Sequence, residues 1–330
     1  MKQIDISLIS KYRMELMGVA TIGILMCHAV GNNVAFPYYV SLLFSFGQTG
    51  NSLFMFLSGF GLYYSLSKTD SNQTSLLTWY KRRYARILIP YVLWYVVHFI
   101  RAFGSSDIDW VQFLFGFSLI KYWFHGGGAW FLSVLMPLYA LSPVIKKFII
   151  YKGATGRNVI LLTTILTTAS FFHSSNSFYE HILRAMPHFV GFILGMAAGY
   201  YSQEGKKVNV LLFWGYGVFL LLSFFILNRD FANFYLSWCL IFLPFLLYFF
   251  DSRKNTYRIL RWFGKISLES YLTNGALPMF VKMIPWCMLS CNLNYGNYLG
   301  YSIVIIGGLL WAWGLHVVSQ WILSKIKFSA

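Results

Sequence analysis

The chain has 330 residues, 58% of them apolar and 20% aromatic, with only 11% charged, well below the roughly 25% of an average soluble domain. That composition excludes an ordinary water-soluble globule and points to an integral membrane protein embedded among membrane lipids. The net charge of +16, from 26 Lys and Arg against 10 Asp and Glu, would suggest a nucleic-acid partner in a soluble protein; here the cations sit between apolar runs, so membrane topology accounts for them and no nucleic acid is expected.

In chain order, apolar runs near the roughly 20 residues needed to cross a bilayer can be drawn at 14–33, 43–66, 87–103, 129–145, 158–173, 183–201, 208–227, 232–250, 266–286 and 298–322. The expectation is an all-α, polytopic integral membrane protein with about ten transmembrane helices. No small-residue cleavage site follows a short core near the start, so the first run is expected to be a retained helix and not a signal peptide. With the N-terminus inside, 21 of the 26 Lys and Arg fall on inner segments. Only Arg101, Lys121, Arg184, Arg229 and Lys282 fall on the outer side or near it. So strong a bias predicts both termini in the cytoplasm.

The stretch 107–124 is apolar through WVQFLFGFSLI. A crossing there would invert the loops that follow and put Lys146, Lys147, Lys152 and Arg157 outside. It is expected instead to be an interfacial or re-entrant segment that roofs an outward cavity. No internal repeat is visible and the longest polar linker, 67–78, is too short to fold alone. A single membrane domain over 1–330 is expected to hold the function.

Four cationic side chains, Lys81, Arg82, Arg83 and Arg86, stand directly before an apolar run in WYKRRYARILIPY, 79–91. Such a cluster anchors a helix end on the inner side. Guanidinium groups are equally suited to gripping the phosphates of an anionic cytoplasmic substrate. Arg83 and Arg86 are three apart and share one helical face; spacing leaves both readings open.

His28 lies late in the first apolar run, in GVATIGILMCHAVGN. An ionisable side chain in a span is costly unless it is paired or faces a polar cavity, so it is a functional candidate. The ordinary pKa of histidine, about 6.5, suits a general base. The alternative is a hydrogen bond to a neighbouring helix or a place at the outer interface. Arg13 and Glu15 precede His28 by 15 and 13 residues, roughly 20 Å along a helix; they can tie the inner end of that helix to the basic loop.

In SLFMFLSGFGLYY, 52–64, Ser58, Gly59 and Gly61 allow either close helix approach or a break that bares backbone to a cavity. Three glycines precede Trp130, an interface anchor by its type, with His125 just outside the turn. Arg184 enters an apolar helix with Glu180 four residues earlier as a partner. It either snorkels or orients an anionic or carbonyl-bearing substrate. Glu269, in WFGKISLESYLTNG, needs a partner or a polar cavity, and His316 is expected to be a packing or hydrogen-bonded residue. Neither metal-site spacing nor a glycine-rich nucleotide loop is found, and the four cysteines have no zinc or disulfide-framework spacing.

Taken in order, His28, LFMFLSGFGL at 53–62, YKRRYARILIPY at 80–91, WFLSVLMPLYALSP at 130–143, the helix 184–195 and FGKISLESYL at 263–272 resemble membrane-bound acyltransferase family 3. Its bacterial members include glycan O-acetyltransferases, and the resemblance covers most of the chain. It implies a multi-pass protein of the bacterial cytoplasmic (inner) membrane with an active site inside the membrane. It implies acetyl-CoA as the acyl-donor substrate with no permanently bound cofactor, and a hydroxyl of a cell-surface or lipid-linked glycan as acceptor, alongside polysaccharide-assembly partners. His28 corresponds to the family's catalytic first-helix histidine, and Arg83 and Arg86 resemble its donor-associated basic motif. The candidate site is then His28, Arg13, Glu15 and Arg184 for catalysis, with Lys81, Arg82, Arg83 and Arg86 on the donor.

The family commonly has an arginine eleven residues before that histidine, where this chain has Met17; Arg13 lies one turn further down the helix. Its late motif often ends in histidine, where this chain has Asn274. Competing readings are a secondary transporter of a glycan precursor or organic anion, with which Gly and Pro interruptions are compatible, and a noncatalytic partner in polysaccharide assembly.

Overall fold

The computed structural model describes residues 3–71, 74–103, 109–227, 231–253, 257–274 and 298–326. A short strand β1 (Gln3–Asp5) leads into helices α1 (Ser7–Lys11), α2 (Arg13–Gly31), α3 (Tyr38–Ser45), α4 (Thr49–Asp70) and α5 (Leu76–Phe103). Next come α6 (Trp110–Phe117), α7 (Lys121–His125), α8 (Trp130–Ile150), α9 (Thr155–Ala169) and α10 (Ser177–Gln203). A second strand β2 (Lys207–Asn209) precedes α11 (Val210–Leu227), α12 (Phe231–Arg253), α13 (Arg258–Lys265), α14 (Ser267–Asn274) and α15 (Tyr298–Lys325). Helix dominates, as the composition requires. The exception is a two-stranded antiparallel ladder in which Gln3 faces Asn209 and Asp5 faces Lys207.

The central contact joins α4 to α10. Gly191 faces Ser52, Gly195 faces Phe56 and Gly199 faces Phe60 and Tyr63. Residue numbers rise together along both helices, so the two run parallel. The glycines recur every fourth residue, which places them on one stripe. Gly59 completes the contact from α4: a Cβ there would collide with the carbonyl oxygen of Phe192, as one on Gly195 would with that of Phe56. Helix α4 runs unbroken past Gly59, so of the two roles open to these small residues, close approach is the one realised.

Helix α2 packs antiparallel on α4, with Gly23 against Gly47, Ala20 against Gly50, and Arg13 against Gly61. Helix α8 is antiparallel to α5, where the hydroxyls of Tyr80 and Tyr84 donate to the carbonyls of Ala140 and Met136 at 2.7 and 3.1 Å. A tight crossing of α2 on α13 is made by Gly18 and Gly264, each against backbone of the other helix.

These directions give the bundle two unlike ends. At one end, Lys11 pairs with Asp251 at 3.0 Å, Lys146 with Asp70 at 2.6 Å, and Ser67 donates to Gln203 at 2.8 Å. The β1–β2 ladder clamps the same end. Loops rich in Lys and Arg therefore share one end of the fold, as the cation bias predicted.

The expectation of about ten crossing helices needs correction. Among the described residues six helices are long and apolar enough to cross a membrane: Arg13–Gly31, Tyr38–Asp70, Trp130–Gly153, Ser177–Gln203, Phe231–Arg253 and Gly300–Lys325. The remaining segments fall short for separate reasons. Helix α5 carries Lys81, Arg82, Arg83 and Arg86 in its first half. Helix α9 has 15 residues, roughly 22 Å at 1.5 Å per residue against a hydrocarbon core of about 30 Å. The apolar stretch of α11, Val210–Ile226, is also short. The run drawn at 266–286 is described only as far as Asn274; its remainder, with Cys287, Cys291 and Lys282, lies outside the described residues. What stands is an all-α, polytopic membrane protein.

The roof drawn over 107–124 is described from Asp109 onward. It forms α6 and α7, of 8 and 5 residues, far too short to cross.

Gly195→Ala is expected to destabilise the protein by roughly 1–3 kcal/mol through overpacking, read as a lower unfolding temperature in detergent. Gly215→Ala, where no atom lies within 4 Å of an added Cβ, should leave that temperature unchanged or raised; equal behaviour of the two variants would rule out the α4–α10 contact as the tight one.

Candidate functional site

At the end opposite the ladder, the helix ends diverge around a cavity of about 1300 Å³. Its wall takes His28 from the last turn of α2, Trp94, Tyr95 and His98 from α5, Trp130 from the start of α8, Arg184 and His188 from the first turns of α10, and Tyr271 from α14. Helices α6 and α7 cover it, contributing Gln112, Phe113, Lys121 and Tyr122.

Local sequence explains each placement. On α5, Tyr91, Trp94, Tyr95 and His98 fall at i, i+3, i+4 and i+7, one stripe of a helix. That stripe also holds the roof: Tyr91 Oη donates to the carbonyl of Phe117 at 2.9 Å and lies 3.2 Å from that of Gly116, while Tyr95 Oη donates to Phe113 at 2.9 Å. Asp109 starts α6 as an N-cap, accepting from the backbone N–H groups of Val111 and Gln112 at 3.0 and 3.1 Å. The backbone N–H of Phe131 donates to the Tyr271 hydroxyl at 3.1 Å, pinning α14 to the start of α8.

His28 is exposed to this cavity, and among the described residues its imidazole has no hydrogen-bond partner. Arg184 lies on the same wall, 61% of its side chain exposed, with Nε donating to Glu180 Oε1 at 3.1 Å. Glu180, in turn, accepts from the backbone of Ser174 at 3.0 Å and faces His173 Nδ1 at 3.3 Å. The predicted Glu180–Arg184 pair is thus present and orients the guanidinium.

The other predicted residues lie elsewhere. Arg13 and Glu15 sit at the basic end of α2, far from His28. Arg13 points at α4, 3.5 Å from the Leu57 carbonyl and against Gly61. It shares an electrostatic neighbourhood with Arg83, Arg86 and Tyr139. Its Nε is buried without a hydrogen-bond partner among the described residues. Glu15 is 1% exposed and its Oε1 accepts from Arg261 Nε at 2.6 Å, so it ties α2 to α13. Lys81, Arg82 and Arg86 are exposed and Arg83 is half-buried. Arg86 lies five residues before Tyr91, roughly 7.5 Å along α5, so the arginine group begins just below the inner limit of the cavity. Met17 packs in the apolar cluster with Leu16 and Ala20 and takes no part in the site. Asn274 bonds to Ser270 at 3.4 Å.

Buried Glu269 has its partner: Oε1 stands 3.0 Å from His316 Nδ1, which accounts for both residues as a structural pair. His125 ends α7, exposed against Phe115. Sequence reasoning missed His98, although the rule that singled out His28, an imidazole within an apolar helix, applies to it equally. It also passed over His188, whose ring lies 5.1 Å from that of Trp130 and whose Nδ1 is buried without a partner among the described residues.

The described residues form a polytopic membrane bundle with arginines at one end and an imidazole-lined cavity at the other. The chain belongs to acyltransferase family 3: the family's acyltransferase domain matches residues 16–317. Neither the curated proteins nor the solved structures compared with it give a match. Family membership makes acyl transfer the general activity and acyl-CoA the general donor class.

Replacing Tyr91 and Tyr95 by Phe should loosen the roof without unfolding the bundle, since each bond contributes about 1 kcal/mol. Hydrogen exchange should accelerate at 110–125 and stay constant in α4 and α10. Uniform acceleration throughout would contradict a hinge-like local role.

Proposed function

We propose that this protein transfers an acyl group, most simply acetyl from acetyl-CoA, to a hydroxyl of a cell-surface or lipid-linked glycan. The observation that carries this reading is the two-ended arrangement of α2 and α5. Helix α2 carries Arg13 at one end and His28 at the other, and α5 carries Arg83 and Arg86 before the Tyr91–His98 stripe. Half-buried Arg83 and Arg13, with exposed Arg86 beside them, bring like charges together, which is costly unless an anion neutralises them. The phosphates of a CoA donor supply that anion, with Lys81 and Arg82 at the surface attracting it.

His28 takes the proton of the acceptor hydroxyl as its oxygen attacks the thioester carbonyl. Collapse of the tetrahedral adduct breaks the C–S bond and expels the CoA thiolate, which recovers the proton. Tyr271 and Arg184 on the cavity wall are placed to support the oxyanion or to hold the acceptor. Arg13 joins the donor group in this scheme, and Glu15 acts through Arg261 as a positioning residue. The protein is one membrane domain in a bacterial cytoplasmic membrane with both termini inside, the cavity facing out.

Membranes containing the protein should transfer label from acetyl-CoA to glycan, and His28→Ala should lower that rate at least a hundredfold with the protein still folded. Equal transfer by both would remove His28 from the mechanism. Arg83→Gln and Arg86→Gln should raise the donor KM about tenfold each with a smaller change in kcat, the signature of lost donor binding. Solute flux in vesicles without acyl-CoA turnover would favour transport instead.

A further inference from the structure

The cavity wall around α7 and the start of α10 carries cationic hydrogen-bond donors that the described residues leave open. Among the described residues only Nε of Arg184 is engaged, by Glu180 at 3.1 Å; a guanidinium has five N–H donors in a planar fork, so the terminal nitrogens remain for a ligand. Lys121, at the start of α7, has no ion-pair partner among the described residues. Among the described residues lining the cavity, Asp109 is the only carboxylate, and its Oδ1 is spent on the N-terminus of α6. Glu180 stands outside the lining and already serves Arg184, His173 and the backbone of Ser174.

Beside these cations stands an aromatic wall. Trp130 lies 6.3 Å from Tyr122 and 5.1 Å from His188 between ring centroids, and all three line the cavity. Flat apolar surface next to a few convergent polar groups is the usual composition of a ligand site. Cationic donors left open in a recess walled by low-dielectric protein attract anions, and a guanidinium fork matches the two oxygens of a carboxylate or phosphate.

We infer that the acceptor is an anionic saccharide whose oxyanion is held by Arg184 with support from Lys121, the sugar ring lying against Trp130. This rests on the acyl-transfer reading and narrows its acceptor class. A carboxylate on a uronic-type sugar and the diphosphate of a lipid-linked sugar share this chemistry.

The test is a titration of the full-length protein in detergent, followed by tryptophan fluorescence, since Trp94 and Trp130 line the site. Three probes are compared: a uronate-containing tetrasaccharide, its carboxyl-reduced counterpart, and a neutral disaccharide joined to farnesyl diphosphate. One of the anionic probes should bind at least tenfold tighter than the reduced one, and which of them does so identifies carboxylate or diphosphate as the group read. Arg184→Gln should erase that preference, Arg184→Lys should keep part of it, and Lys121→Gln should weaken it and flatten its salt dependence. Equal binding of all three probes, binding of none, or an unchanged preference in Arg184→Gln overturns the inference. Its failure is separable from that of the underlying reading: glycan acetylation that depends on His28 without anionic preference sinks only the acceptor class, whereas absence of any acyl transfer by wild-type membranes sinks the acyl-transfer reading itself.

Discussion

The parallel contact of α4 on α10 is the constraint on which the rest of the structure depends. Backbone meets backbone there because Gly59, Gly195 and Gly199 carry no side chain. Within a bilayer, lipid is as apolar as leucine, so helix association draws on close van der Waals packing. The contact sets the direction of both helices, and α2 takes its antiparallel place from α4. His28 at the end of α2 and Arg184 near the start of α10 consequently reach the same end of the bundle, although 156 positions separate them in the chain.

A second constraint is the cost of burying charge. The fold settles most of its interior ionisable groups in pairs, Glu15 with Arg261, Lys146 with Asp70 and Glu269 with His316. Losing one partner of such a pair costs about 3–5 kcal/mol when both are buried, and less where one is exposed, as Arg261 is. Among the described residues, the buried Nε of Arg13 and the buried Nδ1 of His188 are two of several buried polar atoms without a hydrogen-bond partner.

Much of this was legible beforehand, and the reasons differ by feature. Membrane character followed from composition, and the common end of the Lys- and Arg-rich loops from their spacing, because both are summed properties that no single contact alters. The Glu180–Arg184 pair was readable because four residues make one turn. The roof over 107–124 was deduced from a contradiction in loop charge. Counting helices by apolar runs overshot to about ten, because runs shorter than a full span, such as 158–173, were counted, and the helix there, α9, has 15 residues. Glu15 was placed with the catalytic group on the strength of its neighbours in sequence, yet its partner, Arg261, comes from 246 residues away.

The sequence by itself determined the solvent of this protein, the common end of its Lys- and Arg-rich loops and its family, since these depend on composition, period and order along the chain. Only tertiary structure decided which side chains share a space. It joined Arg13 to Arg83 and Arg86, matched His28 with Arg184, brought in His98 and His188, and diverted Glu15 to Arg261. Such groupings depend on helix directions and crossing points, which long-range packing of glycine faces settles and which no local spacing encodes.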